Sequence, residues 1–377
     1  MKLLLSLSLF AVSLGASAGN VVVVDSVDSA PLSGATVIAQ TGMIAGITDG
    51  DGRIAVNEKD WPLTVRSLGY SSVTIDEKTD TLRLAPAAYA LPEVVVSPGE
   101  RPITRVICYA REYCSGATST DTMQMYSEYM IECFGADGKV KGYKKGDSRP
   151  TTRNVRRYAR RVNSEGLDSV ARPRSGDDET FLSFMDCVVD VPMYAIEESE
   201  TIRNGALADT VQGKYCPKFI YRKTDNLYLK TTDLLSDYKG HKWSPFLFKL
   251  FGLTMDINNA NFSLAYKANN SGKYGIGDLV YGTYGISLLG RGKWIKKMFR
   301  SKDSVEMDCY VEVYPVDIEY CTVEEYKEMR NDSYRIVEFQ KPLNLQPLPP
   351  SVQALIDKTD AKLPYENKWA VKSNHSL

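Results

Sequence analysis

Only two histidines, His241 and His375, stand in the 377 residues of this chain. That scarcity limits the available chemistry, because imidazole is the common general base near neutral pH and a common zinc ligand. Neither histidine belongs to a His-Glu-x-x-His or His-x-x-Glu pattern, so a zinc peptidase is not expected. His241, in YKGHKWSPF, reads as a loop residue. A serine elbow is missing too: Gly285-Ile286-Ser287-Leu288-Leu289-Gly290 is one residue too long for Gly-x-Ser-x-Gly. Gly275-Ile276-Gly277-Asp278 lacks the third glycine of a dinucleotide loop, and with Gly272, Gly282 and Gly285 around it the stretch reads as hairpin turns. Thr48-Asp49-Gly50-Asp51-Gly52 contains part of a calcium loop without the distal Glu in register, which makes it a turn. No catalytic residue, metal or cofactor is expected, and none of the 47 acids is singled out as half of a hydrolytic pair.

Two basic clusters offer binding chemistry instead. Arg153, Arg156, Arg157, Arg160 and Arg161 place five fixed charges within nine residues of a chain whose net charge is -1. Guanidinium groups pair bidentately with phosphate or carboxylate, so these residues form a candidate anion-binding surface for an anionic glycan or lipid headgroup. The competing reading is that Asp and Glu from neighbouring strands neutralise them within the fold. As a helix the segment would show an apolar stripe of Val155, Tyr158, Ala159 and Val162; as a strand it alternates less cleanly, and the sequence leaves both open. In GRGKWIKKMFRSK, Arg291, Lys293, Lys296, Lys297 and Arg300 interleave with Trp294, Ile295, Met298 and Phe299. That pattern suits a membrane surface or an anionic glycan, or equally a solvated face. With 46 basic against 47 acidic side chains, a nucleic-acid coat is not expected.

The elements that position these residues begin with a targeting segment. Lys2, the apolar run Leu3–Leu14 and Ala16-Ser17-Ala18 form a signal peptide over residues 1–18, with cleavage after Ala18 and a mature start at Gly19. The first cysteine is Cys108, so no lipid anchor is expected at the cleavage point. No later run is long and apolar enough for a transmembrane helix. Export permits disulfides, yet the spacing of the seven cysteines is wide and irregular. They read mostly as small buried residues with one or two bridges.

Residues 19–97 read as short alternating strands: Val21–Val24, Ala35–Ala39, Arg53–Val56, Leu63–Arg66, Val73–Ile75 and Thr81–Leu84, separated by turn residues. Their phrases PLSGATVIA, GITDGDGRIAV, VRSLGYSSVTI and LRLAPAAYALPEVVVSP resemble the carboxypeptidase regulatory-like domain. The resemblance implies a transthyretin-like (prealbumin-like) β-sandwich, found in exported Bacteroides-type envelope proteins, and implies no catalysis. Gly34 and Gly50 are expected at turns, and Gly69 turns the chain so that Tyr70 packs on the sandwich edge. Pro86, Pro92, Pro98 and Pro102 mark a hinge.

Residues 98–377 are expected to form a strand-rich α+β region, resembling only uncharacterised companions of that domain through NSEGLDSV and VEVYPVDIEYCTVEEYKEM. Ile131–Tyr143 reads as a hairpin turning at Asp137-Gly138, and Tyr334–Phe339 as a strand. Val305–Tyr314 alternates, with Val305, Met307, Cys309, Val311 and Val313 on one face. Thr322-Val323-Glu324-Glu325 is a capping box opening a helix to about Arg330, and Pro349-Pro350-Ser351 starts another to about Lys358. The fold class is therefore mainly β. The function implied is a non-enzymatic binding or scaffolding protein of the periplasm or cell surface, with an envelope protein or an anionic glycan or lipid headgroup as partner. A small outer-membrane-associated component and an envelope hydrolase without a recognisable motif are the alternatives. N-terminal sequencing of the mature chain is expected to return Gly19 or an immediate neighbour; an intact Met1 in the envelope fraction contradicts export.

Overall fold

The computed structural model describes residues 18–87, 101–136, 138–144, 150–172, 196–198, 200–205, 208–212, 218–223, 226–233, 252–293, 304–332, 335–343 and 345–363. The fold is mainly β. Seven short strands come first: β1 (Ala18–Asp25), β2 (Thr36–Ala39), β3 (Ile44–Ile47), β4 (Arg53–Asn57), β5 (Leu63–Arg66), β6 (Val73–Ile75) and β7 (Thr81–Leu84). They form a three-stranded sheet, β4-β1-β7, and a four-stranded one, β3-β2-β5-β6. Val21, Val23, Ile54, Val56, Leu82 and Leu84 of the first meet Val37, Leu63 and Val65 of the second in one buried core, which is a β-sandwich.

The turn chemistry follows the residues. Asp49 Oδ1 accepts the amides of Asp51 and Arg53, so the acidic run ties its own turn, and the positive φ falls at Gly52 rather than Gly50. Buried Thr48 Oγ1 accepts from Ala35 N and donates to Leu32 O, holding the neighbouring loop. Gly69 has φ +93 and Tyr70 packs against the sandwich core, as expected.

The rest of the chain builds one antiparallel sheet from β8 (Ile103–Ala117), β9 (Asp121–Ala136), β10 (Thr151–Asn163), β11 (Asp168–Ala171), β13 (Ala208–Gln212), β14 (Lys218–Lys223), β15 (Leu227–Asp233), β16 (Leu253–Lys267), β18 (Leu279–Gly292) and β19 (Val305–Cys321). Its order is β11-β10-β9-β8-β19-β18-β16-β15-β14-β13. This is an up-and-down meander in which the sheet's first strand, β8, pairs with its last, β19. A small ribbon of β12 (Ile196–Glu197) and β17 (Lys273–Tyr274) stands apart from it.

Both faces of the central strands are buried, for different reasons. One face presents Val106, Cys108 and Ala110 with Tyr129, Ile131, Phe262, Tyr284 and Val311, and it is covered by Ile202, Tyr274 and Ile276 from the short connecting elements. The other presents Ile107, Tyr109, Arg111 and Tyr113, and it carries the sandwich and the C-terminal segment. There Arg66 of β5 meets Glu312 of β19 through Nε (2.8 Å) and Nη2 (3.2 Å), with both side chains 2% exposed. Arg66 Nη1 and Arg111 Nη1 each donate at 2.6 Å to the carbonyls of Pro347 and Gln346. Ile44 N donates to Ser115 Oγ and Gln124 Nε2 to Gly42 O, fixing the sandwich at a second point.

Several expectations are corrected here. Residues 131–143 are not a hairpin: β9 runs unbroken to Ala136, because β8 and β10 already occupy both of its edges. Gly282 and Gly285 are not turn residues but lie within β18. A Cβ on Gly285 would stand 2.6 Å from Ile47 of the sandwich, so glycine there permits the close approach of the two units. Of the strand expected over Tyr334–Phe339, Tyr334 lies outside the described residues and 335–339 join no sheet; Asn154 Nδ2 donates to Val337 O there. The capping box is present as expected, Thr322 Oγ1 accepting from Glu325 N and Glu325 accepting from Thr322 N, and its helix spans Val323–Asn331. The second helix, Pro350–Lys362, runs longer than expected and buries Val352 and Leu355 against Tyr113, Tyr126, Tyr158 and Tyr310.

Removing one member of a buried ion pair leaves the other charge without compensation. Glu312→Gln is expected to lower the stability of the full chain in urea by about 3–5 kcal/mol, and Arg66→Met in the same chain to recover at least half of that. Equal losses in the single and double variants contradict a coupled pair.

Candidate functional site: a cleft between the sandwich and the sheet

The five arginines singled out above lie on β10, which is extended, so they divide between the faces of the sheet. Arg156 and Arg160 face the sandwich side, opposite Glu128 and Gln124, while Arg157 and Arg161 are opposite Ser127 and Met123 and face the other way. Arg153 sits at a register shift between Thr152 and Asn154. Acids from adjacent strands meet them, as the second reading required. Arg153 pairs with Glu132 (2.8 Å), Arg156 with Glu128 (3.2 Å), Arg160 with Asp168 (2.8 Å) and Arg161 with Asp121 (2.6 Å). Arg157 is buried.

Glu132 gathers the densest of these contacts, from Arg105, Arg153 and Arg335. Burial pushes its carboxyl up, but hydrogen bonds from Arg105 and Arg335 and the charge of Arg153 bring it below the usual range. Arg153 also donates to the carbonyls of Asp332 and Met329 at the end of helix Val323–Asn331, where a cation is favoured. In the second basic cluster Arg291 pairs with Asp256 at 2.9 Å. Trp294, Ile295, Lys296, Lys297, Met298 and Arg300 lie outside the described residues, as do His241, His375, Cys187, Cys216, Ala16 and the hinge prolines Pro92 and Pro98. No group of His, Cys, Asp or Glu among the described residues is arranged to hold a metal ion.

The concave site lies elsewhere on the same face. Between the sandwich and strands β14–β18 is a cavity of about 540 Å³. Period-two alternation brings Ile220, Arg222, Leu229, Thr231, Ser263 and Thr283 to this side of four paired strands. The sandwich closes the cavity with the turn Asp28–Gly34 and with Ser67, Leu68 and Tyr70. Leu32, Leu68, Ile220 and Leu229 make apolar wall, and Ser33, Ser67, Thr231, Ser263 and Thr283 also line it.

The cations of the cleft are compensated. Arg222 pairs with Asp28 and lies 4.0 Å from Asp25, while Lys223 pairs with Glu198 at 2.6 Å. Tyr70 donates to Asp25 at 2.9 Å, and burial followed by that bond pushes its phenol well up, so the hydroxyl stays a donor at physiological pH. Such a cleft can hold a ligand that offers hydroxyl or amide groups and one apolar surface, without net charge. No protein-family model matches the chain, and no curated protein matches it.

Sequence reasoning did not find this cleft. Its wall comes from four strands of the sheet and from loop segments of the sandwich, scattered from Asp28 to Thr283 and made of ordinary residues. The only local signals were Gly34, whose φ is +75, and the Gly69-Tyr70 pair.

One carboxyl on the docked face is displaced upward. Burial first, and then the charge of Glu306, push Asp308 up to about 6, against a hydrogen bond of 2.5 Å from Ser287 Oγ. A carboxyl raised in the folded state binds its proton more tightly folded than unfolded, so its contribution declines as pH rises from about 4 to about 6 and is flat above. Asp308→Asn is expected to raise stability at pH 8 by about 2 kcal/mol and to leave it unchanged at pH 3.5. A variant that is less stable at pH 8, or one whose gain is the same at both pH values, contradicts this.

Proposed function

We propose that this chain is an exported, non-enzymatic binding protein of the cell envelope, and that the cleft between its sandwich and its sheet is the ligand site. The observation that carries the reading is the cleft itself, walled by hydroxyls and aliphatic groups and held open by two units locked through buried ion pairs. A preformed concave site with paired charges favours small uncharged ligands, such as a neutral oligosaccharide or a peptide segment, over polyanions. The resemblance of residues 19–97 to the carboxypeptidase regulatory-like domain agrees with an envelope location and with a role in contact rather than catalysis.

The outer-membrane reading has one observation in its favour, the meander whose first and last strands pair. A lipid-facing sheet needs a continuous apolar band on one side. Here the central strands carry the sandwich on one face and Ile202, Tyr274 and Ile276 on the other, which speaks for a protein whose sheet is covered by its own chain. No helix among the described residues is long and apolar enough to cross a membrane.

The full mature chain is to be screened against arrays of neutral oligosaccharides and peptides, alongside Ser67→Phe, which fills the cleft from the sandwich side. Binding is expected to be insensitive to salt, weakened at least tenfold by Ser67→Phe, and unchanged by Arg160→Gln with Arg161→Gln. Retention only on anionic glycan or lipid, lost in high salt and in the arginine variant, would overturn the cleft reading in favour of the β10 surface. The absence of any binder, or one indifferent to Ser67→Phe, would overturn it outright.

A further inference from the structure

Strands β8 and β19 place Cys114 directly opposite Cys309. Directly opposed residues share a face, with Cβ atoms about 4.5–5.5 Å apart, close to the spacing a disulfide requires. The two side chains are close enough to affect each other's charge, and Glu112 lies two residues earlier on the same face as Cys114. Both stand as thiols and both are partly accessible, whereas Cys108 is enclosed. The other candidates are placed differently. Cys108 is opposite Ile131 and Cys133 opposite Val106, so these two are diagonal neighbours, at roughly 7–8 Å, a separation that a disulfide does not span without backbone movement. Cys321 lies at the far end of β19, its sulfur against Ile103 O.

We propose that Cys114 and Cys309 form a cross-strand disulfide that locks β8 to β19, the one pairing that joins the beginning of the sheet to its end. The oxidant is a disulfide-bearing partner, either a thiol–disulfide oxidoreductase or glutathione disulfide. One cysteine thiolate attacks a sulfur of that partner; the partner's S–S bond breaks, one half leaves as a thiol and a mixed disulfide remains. The second cysteine then attacks the protein sulfur of the mixed disulfide and expels the other half as a thiol. The protein loses two electrons and two protons, which the partner gains. Most of the sheet lies between the two cysteines along the chain, and a bond closing so long a loop restricts the unfolded state strongly. The inference is independent of the ligand cleft and of export, since the bond is tested on purified protein.

The full mature chain is to be refolded in a glutathione redox buffer, trapped with an alkylating reagent, digested without reductant and mapped by mass spectrometry. One linked pair of peptides carrying Cys114 and Cys309 is expected. The melting temperature should be at least about 5 °C higher than after dithiothreitol treatment of the same sample. Cys114→Ser with Cys309→Ser is expected to melt like the reduced wild type and to ignore reductant. Alkylated Cys114 and Cys309 at the most oxidising poise, or a bond from either to another cysteine, overturns the proposal. So do equal melting temperatures for linked and reduced protein, since such a bond constrains nothing.

Discussion

A guanidinium removed from water must find a carboxylate and donate its remaining hydrogens, or the fold loses several kcal/mol. Arg66 is in that position, at the end of a short sandwich strand, and its requirement organises the molecule around it. Glu312 of β19 supplies the carboxylate, and Pro347 supplies a carbonyl from a segment almost three hundred positions away. Three separate stretches of chain therefore converge on one side chain. Arg111 repeats the arrangement on β8, opposite both Glu128 and Glu312, and donates to Gln346 O. Hydroxyls complete the layer, Tyr314 donating to Glu312 and Tyr109 to Glu128. Polar groups connected in this way specify one docking position, because a shift of one residue along β19 would turn Glu312 to the other face.

That constraint explains the form of the cleft. A sandwich pinned through β5 at the middle of the sheet, and through β3 beside Ser115, leaves space over β14–β18, where its Asp28–Gly34 turn reaches the sheet through Arg222. The cleft is thus the part of the seam that the two surfaces do not fill. Its floor is the same face of the same sheet that carries the ion pairs, and there small hydroxyls and aliphatic side chains stand beside the paired Arg222. Tyr281 makes the transition, its hydroxyl lying beside Gly69 where a Cβ would stand 2.5 Å away.

Much of the sandwich was legible in the sequence because its strands are short, alternate cleanly and end in turn residues whose physics is local. β3 is the exception: Gly46 interrupts its alternation, and a register shift between Val37 and Ile38 displaces its pairing. Thr322 and Glu325 announced their helix for the same reason, since a capping box is complete within four residues. The long strands were harder. Alternation in Val305–Tyr314 identified a strand, but nothing in it told that Glu312 would be buried rather than solvated, because its partner stands on another sheet. Gly282 and Gly285 imitated turns although each marks a close approach within a strand. The arginines of β10 read as a ligand surface because their acids, Asp121, Glu128 and Glu132 of β9 and Asp168 of β11, meet them only after the strands pair. Sequence reports periodicity well and long-range compensation poorly.

The account holds that the sandwich, the sheet and the C-terminal segment form one cooperative body through the Arg66–Glu312 layer. Differential scanning calorimetry of the full mature chain tests this most directly, by comparing the measured enthalpy with the van't Hoff enthalpy. One endotherm with the two enthalpies equal is predicted. Two separable transitions, one of them matching the melting of residues 19–97 expressed alone, would mean that the sandwich is an independent module and that the buried ion pairs do not couple it to the sheet.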